Sequence, residues 1–502
     1  MIETLFMSFS VCTAQAPAPP VSLVVLVSVD QLRPDYLARY DTQFTGGFRV
    51  ILDHGTLYDH GRQNHAITAT APGHATLLSG REPASTGIVD NAHGVEDPTA
   101  PLLAGDPRPG ASPCRFRGTA LVDWLEASDP EIRVLSVSGK DRAAILPVGR
   151  ARVPVFWWSR GRFTTSRYYA DTLPAWVRAF NARRSDQHLA GRTWDLLLAP
   201  TAYRERDEEP YENGGHDVTF PHRLPGAAEI PDLLQDYPWM DSLTLAFALE
   251  GARALDLGGR PRPDVMVVAL SATDAVGHRY GPDSREIHDH LLRLDRWLGW
   301  FLDSLAARVP RERTLVVLSA DHGVQSYPER SRGKGRVWLG DLARPGQSFS
   351  SGLLSADTTG LHASGMRVDS VASALAAEAV RRRGVARVFT PASLSAAPPG
   401  DSVAMLWRNT IPPGYGWLIA GVLEPGFVWS TEQSGEAEHG STANEDVTVP
   451  MAFLGPGIPK AVIHRVVRTV DIAPTLAILL GVRPWERLDG VPLGEVLRPA
   501  DQ

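Results

Sequence analysis

The sequence predicts an α/β fold: a mostly parallel central sheet flanked by helices, with insertions that cap one edge. Three observations predict it. Residues 22–29, 265–273 and 314–320 are short runs rich in valine and leucine, without polar alternation. Such runs are the pattern of parallel strands covered on both faces. Each run stops at an acid, at Asp30, Asp274 and Asp321. Between and around them lie segments of helical period, so strands and helices alternate as in a doubly wound sheet.

The elements follow in order. The run at 22–29 is the first strand, and a helix follows from about Arg33. Thr70 opens another helix, with Pro72 in its first turn, where a missing N–H costs nothing. Residues 131–137 form a strand leading into Gly139-Lys140-Asp141-Arg142. Residues 242–257 and 284–305 carry apolar positions three and four apart and read as amphipathic helices. Residues 449–454 are a strand, and 469–481 are a closing helix. Two blocks are irregular: about 151–235 shows no clean period, and about 325–435 is loop-rich with several short strands expected. They are expected to cap the active edge of a single catalytic domain, 17–502, since long structureless loops inside a compact domain are usually functional lids.

Composition narrows the function classes. A chain of 502 residues, 43% hydrophobic, can bury a large core. The formal net charge of -7, with no long basic run, argues against nucleic-acid binding. Cys12 and Cys114 are too few for a disulfide framework or a thiolate zinc site. Any metal ligands must then be Asp and His. No apolar run reaches the roughly 18 residues of a spanning helix. Residues 1–16 read as a secretory signal with Ala14-Gln15-Ala16 at its cleavage site; Glu3 stands where a basic residue is usual, so a disordered tail is the alternative. The expectation is a periplasmic or secreted protein.

In parallel sheets, ligands bind beyond the carboxyl ends of the strands. Asp30, Asp274 with His278 four residues on, and Asp321 with His322 next to it would all reach that edge. A lone Asp after a strand is usually a helix cap; five such groups on three strand ends point to a metal. Carboxylate oxygens with imidazole nitrogens suit Zn²⁺ and, less selectively, Mn²⁺, Fe²⁺ or Co²⁺. His439 is a further candidate ligand. Thr70, a hydroxyl at a helix start, can serve as a plain cap or, beside a divalent metal, as a nucleophile. Lys140 and Arg142, two apart on extended backbone, would project together with Asp141 turned away. Two metals about 4 Å apart clamp the oxygens of an in-line phosphoryl displacement, and two further cations match the double charge of a phosphate monoester.

These residues, from Ser28-Val29-Asp30-Gln31-Leu32 to Asp471-Ile472-Ala473-Pro474-Thr475, make the chain resemble the alkaline phosphatase superfamily. The resemblance is strongest to the PafA-like bacterial phosphatases, grouped with type I phosphodiesterases and nucleotide pyrophosphatases. The resemblance implies an alkaline-phosphatase-like fold and two Zn²⁺ ions. One would be held by Asp274, His278 and His439. The other would be held by Asp30, Asp321 and His322, with Thr70 bridging as the nucleophile and forming a phospho-threonine. It places Asn91, Lys140 and Arg142 on the phosphate, a set that favours monoesters over diesters. A Cys/Ser-x-Pro-x-Arg sulfatase signature is absent. Thr86 and His93 replace the family's usual His and Trp and bear on leaving-group preference. The expected substrate is a small phosphate monoester. A phosphodiesterase on the same scaffold, or a silent metal- or phosphate-binding protein, are the alternatives. Monomer and homodimer stay open.

Overall fold

The structure is a computed structural model that describes residues 21–103, 106–363, 365–430 and 435–497. The segment read as a secretory signal lies outside the described residues.

Among the described residues, ten strands form the central sheet. They are β1 (Leu23–Val29), β2 (Thr56–Arg62), β3 (Val134–Ser138), β4 (Val155–Ser159), β5 (Arg162–Thr164), β6 (Asp264–Leu270), β7 (Thr314–Ser319), β8 (Thr448–Leu454), β9 (Ala461–Ile463) and β10 (Val467–Arg468). Their order is β9-β2-β8-β7-β1-β6-β3-β4-β5, with β10 also beside β2. The middle of the sheet, β7-β1-β6-β3-β4, is parallel throughout. Antiparallel pairing enters at β8 and at the edge strand β5.

Successive side chains of a strand face opposite sides, and here both sides are covered. Val25, Val27 and Val29 of β1 join a core with Phe247 of α3 (Trp239–Ala254) and Leu298 and Phe301 of α5 (Arg285–Ala306). Val24 and Leu26 join the other core, with Ala71 and Ala75 of α1 (Thr70–Leu77) and Leu476 of α6 (Ile472–Leu479). In α5, Ile287, Leu291, Leu294, Leu298 and Phe301 recur at alternating spacings of four and three and are all buried. Ser284 caps that helix, its Oγ accepting the Ile287 N–H at 3.1 Å, an interaction that typically contributes about 1 kcal/mol.

The two irregular blocks resolve differently, and the short strands expected in the second are present. The first, 151–235, begins inside the sheet: Val155–Ser159 is fully buried as β4, and β5 folds back on it. A run as short as Val-Phe-Trp-Trp, buried on both faces, carries no alternation to reveal it. The second contains a four-stranded antiparallel sheet, ordered Gln347–Ser350, Leu353–Ala356, Trp417–Leu423, Val385–Phe389. Leu353, Phe389 and Trp407 from this block pack in one cluster with Ile67, Ala69 and Val89. The block is therefore anchored directly against the chain that leads into α1.

Candidate active site

The strand register delivers the site. Ser28 is level with Ser319, so Asp30 and Asp321 emerge side by side two residues later. Val29 is level with Leu270. The run at 265–273 does not continue as a strand to Asp274: β6 ends at Leu270, and Ala272–Tyr280 is a helix, α4. Asp274 therefore lies in the first turn of α4, and His278, four residues on, shares its face.

The donor atoms of Asp30, Asp321 and His322 lie within 4.8 Å of one another, as do those of Asp274, His322 and His439. His278 closes a further triangle. Its Nε2 lies 3.2 Å from Asp274 Oδ1 and 3.1 Å from His439 Nε2, and His439 Nε2 lies 3.7 Å from Asp274 Oδ1. His322 borders both groups, its ring stacked on His439 with centroids 3.7 Å apart. The structure thus assembles all six Asp and His residues named from the sequence.

Each of the three histidines turns Nδ1 to a backbone carbonyl. His278 meets Ala437 O at 2.6 Å, His322 meets Gly323 O at 2.9 Å, and His439 meets Thr68 O at 2.6 Å. A carbonyl only accepts, so Nδ1 carries the proton and the Nε2 lone pair faces inward, the arrangement that orients a metal-binding imidazole. Asp30 Oδ1 and His322 Nε2 are buried without a hydrogen-bond partner. Buried polar atoms left bare are costly. A divalent ion shared by this oxygen and this nitrogen satisfies them, so the donor set fits first-row metal chemistry.

The electrostatics agree. Burial, together with the charges of Asp274 and Asp321, pushes the Asp30 carboxyl well above the usual carboxylate range. Burial works against Asp274 too, but Lys140, His278 and His439 outweigh it and hold it well below that range. Burial lowers His322, and burial with the nearby His322 and His278 lowers His439, keeping both neutral as ligands must be. His278 differs: burial is overcome by Asp274, which lifts the imidazole to about 10, so an ion bound at this group would have to displace its Nε2 proton.

Thr70 is buried as the first residue of α1, after Ala69 in extended backbone. A side chain at Gly73 would collide with the Asp321 backbone, which shows how closely α1 is pressed against the Asp and His donors. Asn91 Oδ1 accepts the Ala71 N–H at 2.8 Å, bringing the carboxamide beside Thr70. Lys140 Nζ lies 2.6 Å from Asp30 Oδ2 and 2.5 Å from Asp274 Oδ2, one carboxylate from each group. Arg142 departs from its expected placement. The backbone is extended only at Lys140, and Asp141 opens α2 (Asp141–Ile145). Asp141 does not turn away: its Oδ1 accepts the Arg142 N–H at 2.6 Å and lies 3.7 Å from the guanidinium. The physical reason is that an acid at a helix start satisfies a free N–H there. Arg142 is still near enough to Lys140 for its charge to act against protonation of that amine.

Two residues of the site were not singled out from the sequence. His74 lies one turn beyond Thr70, with Nδ1 3.0 Å from Thr70 O and 3.1 Å from Asp321 Oδ2. Its four-residue spacing from Thr70 was the available signal. Gln31 donates from Nε2 to Asp274 Oδ1 at 2.7 Å; only its place beside Asp30 could have marked it.

Comparison with known proteins agrees with this architecture. The chain is 29% identical to alkaline phosphatase PafA of Elizabethkingia meningoseptica, covering 95% of each chain. It is 30% identical to alkaline phosphatase PhoK of a Sphingomonas species, covering 94% of this chain and 91% of that one. The crystal structure of wild-type alkaline phosphatase PafA superposes with a TM-score of 0.87 at 26% identity, over 96% of this chain and all of that one. Residues 24–389 match the family described as Type I phosphodiesterase / nucleotide pyrophosphatase, and it is to this family that the chain belongs.

Proposed function

We propose that this protein is a metal-dependent phosphomonoesterase acting on small phosphate esters, with two Zn²⁺ ions as its metals and Thr70 as its nucleophile. One observation carries the reading: two groups of buried Asp and His donors converge beside a buried threonine at a helix start. Asp274, His278 and His439 would hold one ion, and Asp30, Asp321 and His322 the other. When bound, the ions supply Lewis acidity at the attacking and leaving oxygens.

The chain's own residues do the rest. Thr70 releases its hydroxyl proton and its Oγ1 attacks phosphorus, the bond from phosphorus to the ester oxygen breaks, and the leaving alkoxide takes up a proton. Water then attacks the phospho-threonine, the bond from phosphorus to Oγ1 breaks, Oγ1 takes up the proton that water gives up, and inorganic phosphate departs. Asn91, fixed by the Ala71 N–H, presents its amide donors to the phosphoryl oxygens. Lys140 already reaches the point between the two groups, and Arg142 adds a second cation beside it.

Charge supports a monoester. Three buried carboxylates set against the Lys140 and Arg142 cations leave one negative charge. Two divalent ions exceed that by three, of which a monoester dianion offsets two and a diester one. The test is hydrolysis of an aryl phosphate monoester against the matched diester on zinc-loaded protein, wild type and Lys140→Ala/Arg142→Ala. The expected result is a monoester preference of orders of magnitude that the double variant erodes, with monoester rates falling far more than diester rates. A wild-type diester preference would move the activity to phosphodiesterase on the same scaffold. Equal losses in the variant would remove the charge-reading role of the pair.

A further inference from the structure

Gln31 contacts an acid of each donor group. Its side chain donates to Asp274 Oδ1, and its backbone N–H reaches Asp321 Oδ1 at 3.2 Å. It is fully buried and adopts a left-handed conformation, φ 67°, which side-chain-bearing residues seldom occupy. Such backbone persists when its surroundings over-determine it. The packing has also made room for it. A Cβ at Gly277 would lie 1.8 Å from Gln31 Oε1. Gly277 sits between Asp274 and His278 on α4, so the bare helix surface there is what admits the carboxamide.

We propose that Gln31 is a positioning residue for the metal centre: its carboxamide fixes the rotation of Asp274 and so sets the ion affinity of the Asp274 group. Asp274 Oδ1 is the vertex shared with His278 and His439, and it is also the atom that receives the Gln31 amide. A carboxylate free to rotate would exchange Oδ1 for Oδ2, the oxygen held by Lys140. The backbone bond to Asp321 does not depend on the side chain at position 31, so the Asp30 group is untouched by its loss. Partners that orient metal ligands in this way commonly change affinity by about 10–100-fold when removed.

The inference rests on the two-metal reading above. The experiment titrates Zn²⁺ against a competing chelator, and records the visible spectrum of the Co²⁺-loaded protein, for wild type, Gln31→Met, Gln31→Gly and Gly277→Ala. In Gln31→Met and Gln31→Gly one of two ions is expected to weaken by about 10–100-fold, with a changed Co²⁺ spectrum, while the other keeps its affinity. Gly277→Ala, with Gln31 intact, is expected to reproduce the change, because the new methyl displaces the carboxamide. Gln31→Gly separates the amide from the turn: glycine accommodates the left-handed backbone, so a residue needed only for the turn would leave both affinities at their wild-type values. That result, or wild-type affinity for both ions in Gln31→Met and Gly277→Ala, overturns the inference. A wild-type protein that takes up fewer than two ions overturns the two-metal reading and this inference with it.

Discussion

Thr70 combines two properties that a surface threonine lacks: it is buried, and it opens a helix whose first turn is pressed onto Asp321. A hydroxyl at a helix start already sits in a field that favours an anion. A neighbouring divalent ion would extend that effect to ionisation of the hydroxyl itself. Thr70→Ala is therefore expected to lower kcat/KM for an aryl monoester by roughly 10⁴–10⁶-fold, the scale of losing a covalent nucleophile. Zinc stoichiometry should stay at two, because six Asp and His donors remain. Thr70→Ser keeps the hydroxyl and should retain most turnover. An alanine variant within tenfold of wild type would show that another group attacks phosphorus.

Elements explain which parts of this site were legible. The apolar runs ending in Asp30 and Asp321 were visible because doubly covered strands are apolar throughout, and parallel register then brings their ends level. Asp274 was visible as a candidate donor, but not its element, since Ala272 and Thr273 extend the apolar run although they are already helical. The strands β4 and β5 were not legible, because segments this short, one of them buried on both faces, leave no local period; the short strands expected in the second block are present, but their pairing order carries no signal in the sequence. Buried charges such as Glu212 were hidden as well. Glu212 lies in the first irregular block, in the short helix Glu212–Gly215. Burial, then Glu286 at the start of α5, then Glu209, raise its carboxyl to about 9, with Asp207 adding to the shift and Arg330 opposing it. The folded state thus keeps a proton that the unfolded chain releases above pH 4.5. The stability this group contributes is fully present below that value and is lost as pH rises toward 9. Each pKa unit is about 1.4 kcal/mol, so Glu212→Gln, neutral at every pH, should match wild type near pH 4.5 and exceed it by several kcal/mol at pH 9. Chemical denaturation from pH 5 to pH 9 tests this; parallel stability curves would show that Glu212 ionises freely in the folded protein.

The whole molecule brings three carboxylates, Asp30, Asp274 and Asp321, to one buried point, with a single lysine in contact with two of them. Like charges in a medium of low dielectric oppose the fold that gathers them, and the fold tolerates this because two sheet faces of apolar packing hold the strands in register. Divalent ions reverse the sign of that local energy, so metal binding and folding are linked across the entire domain. The unfolded chain disperses the six donors over residues 30 to 439 and cannot reproduce the site. At a free zinc concentration one hundredfold above Kd, each ion should then stabilise the folded state by about 2.7 kcal/mol. Chelation should lower the thermal midpoint accordingly, and replacing the zinc should restore it. The same comparison in His439→Ala, which removes a ligand of the Asp274 group only, should give roughly half the zinc-dependent shift. A midpoint that does not move with zinc in the wild-type protein would mean that the apolar scaffold alone sets the stability, and that the donors bind no ion at these concentrations.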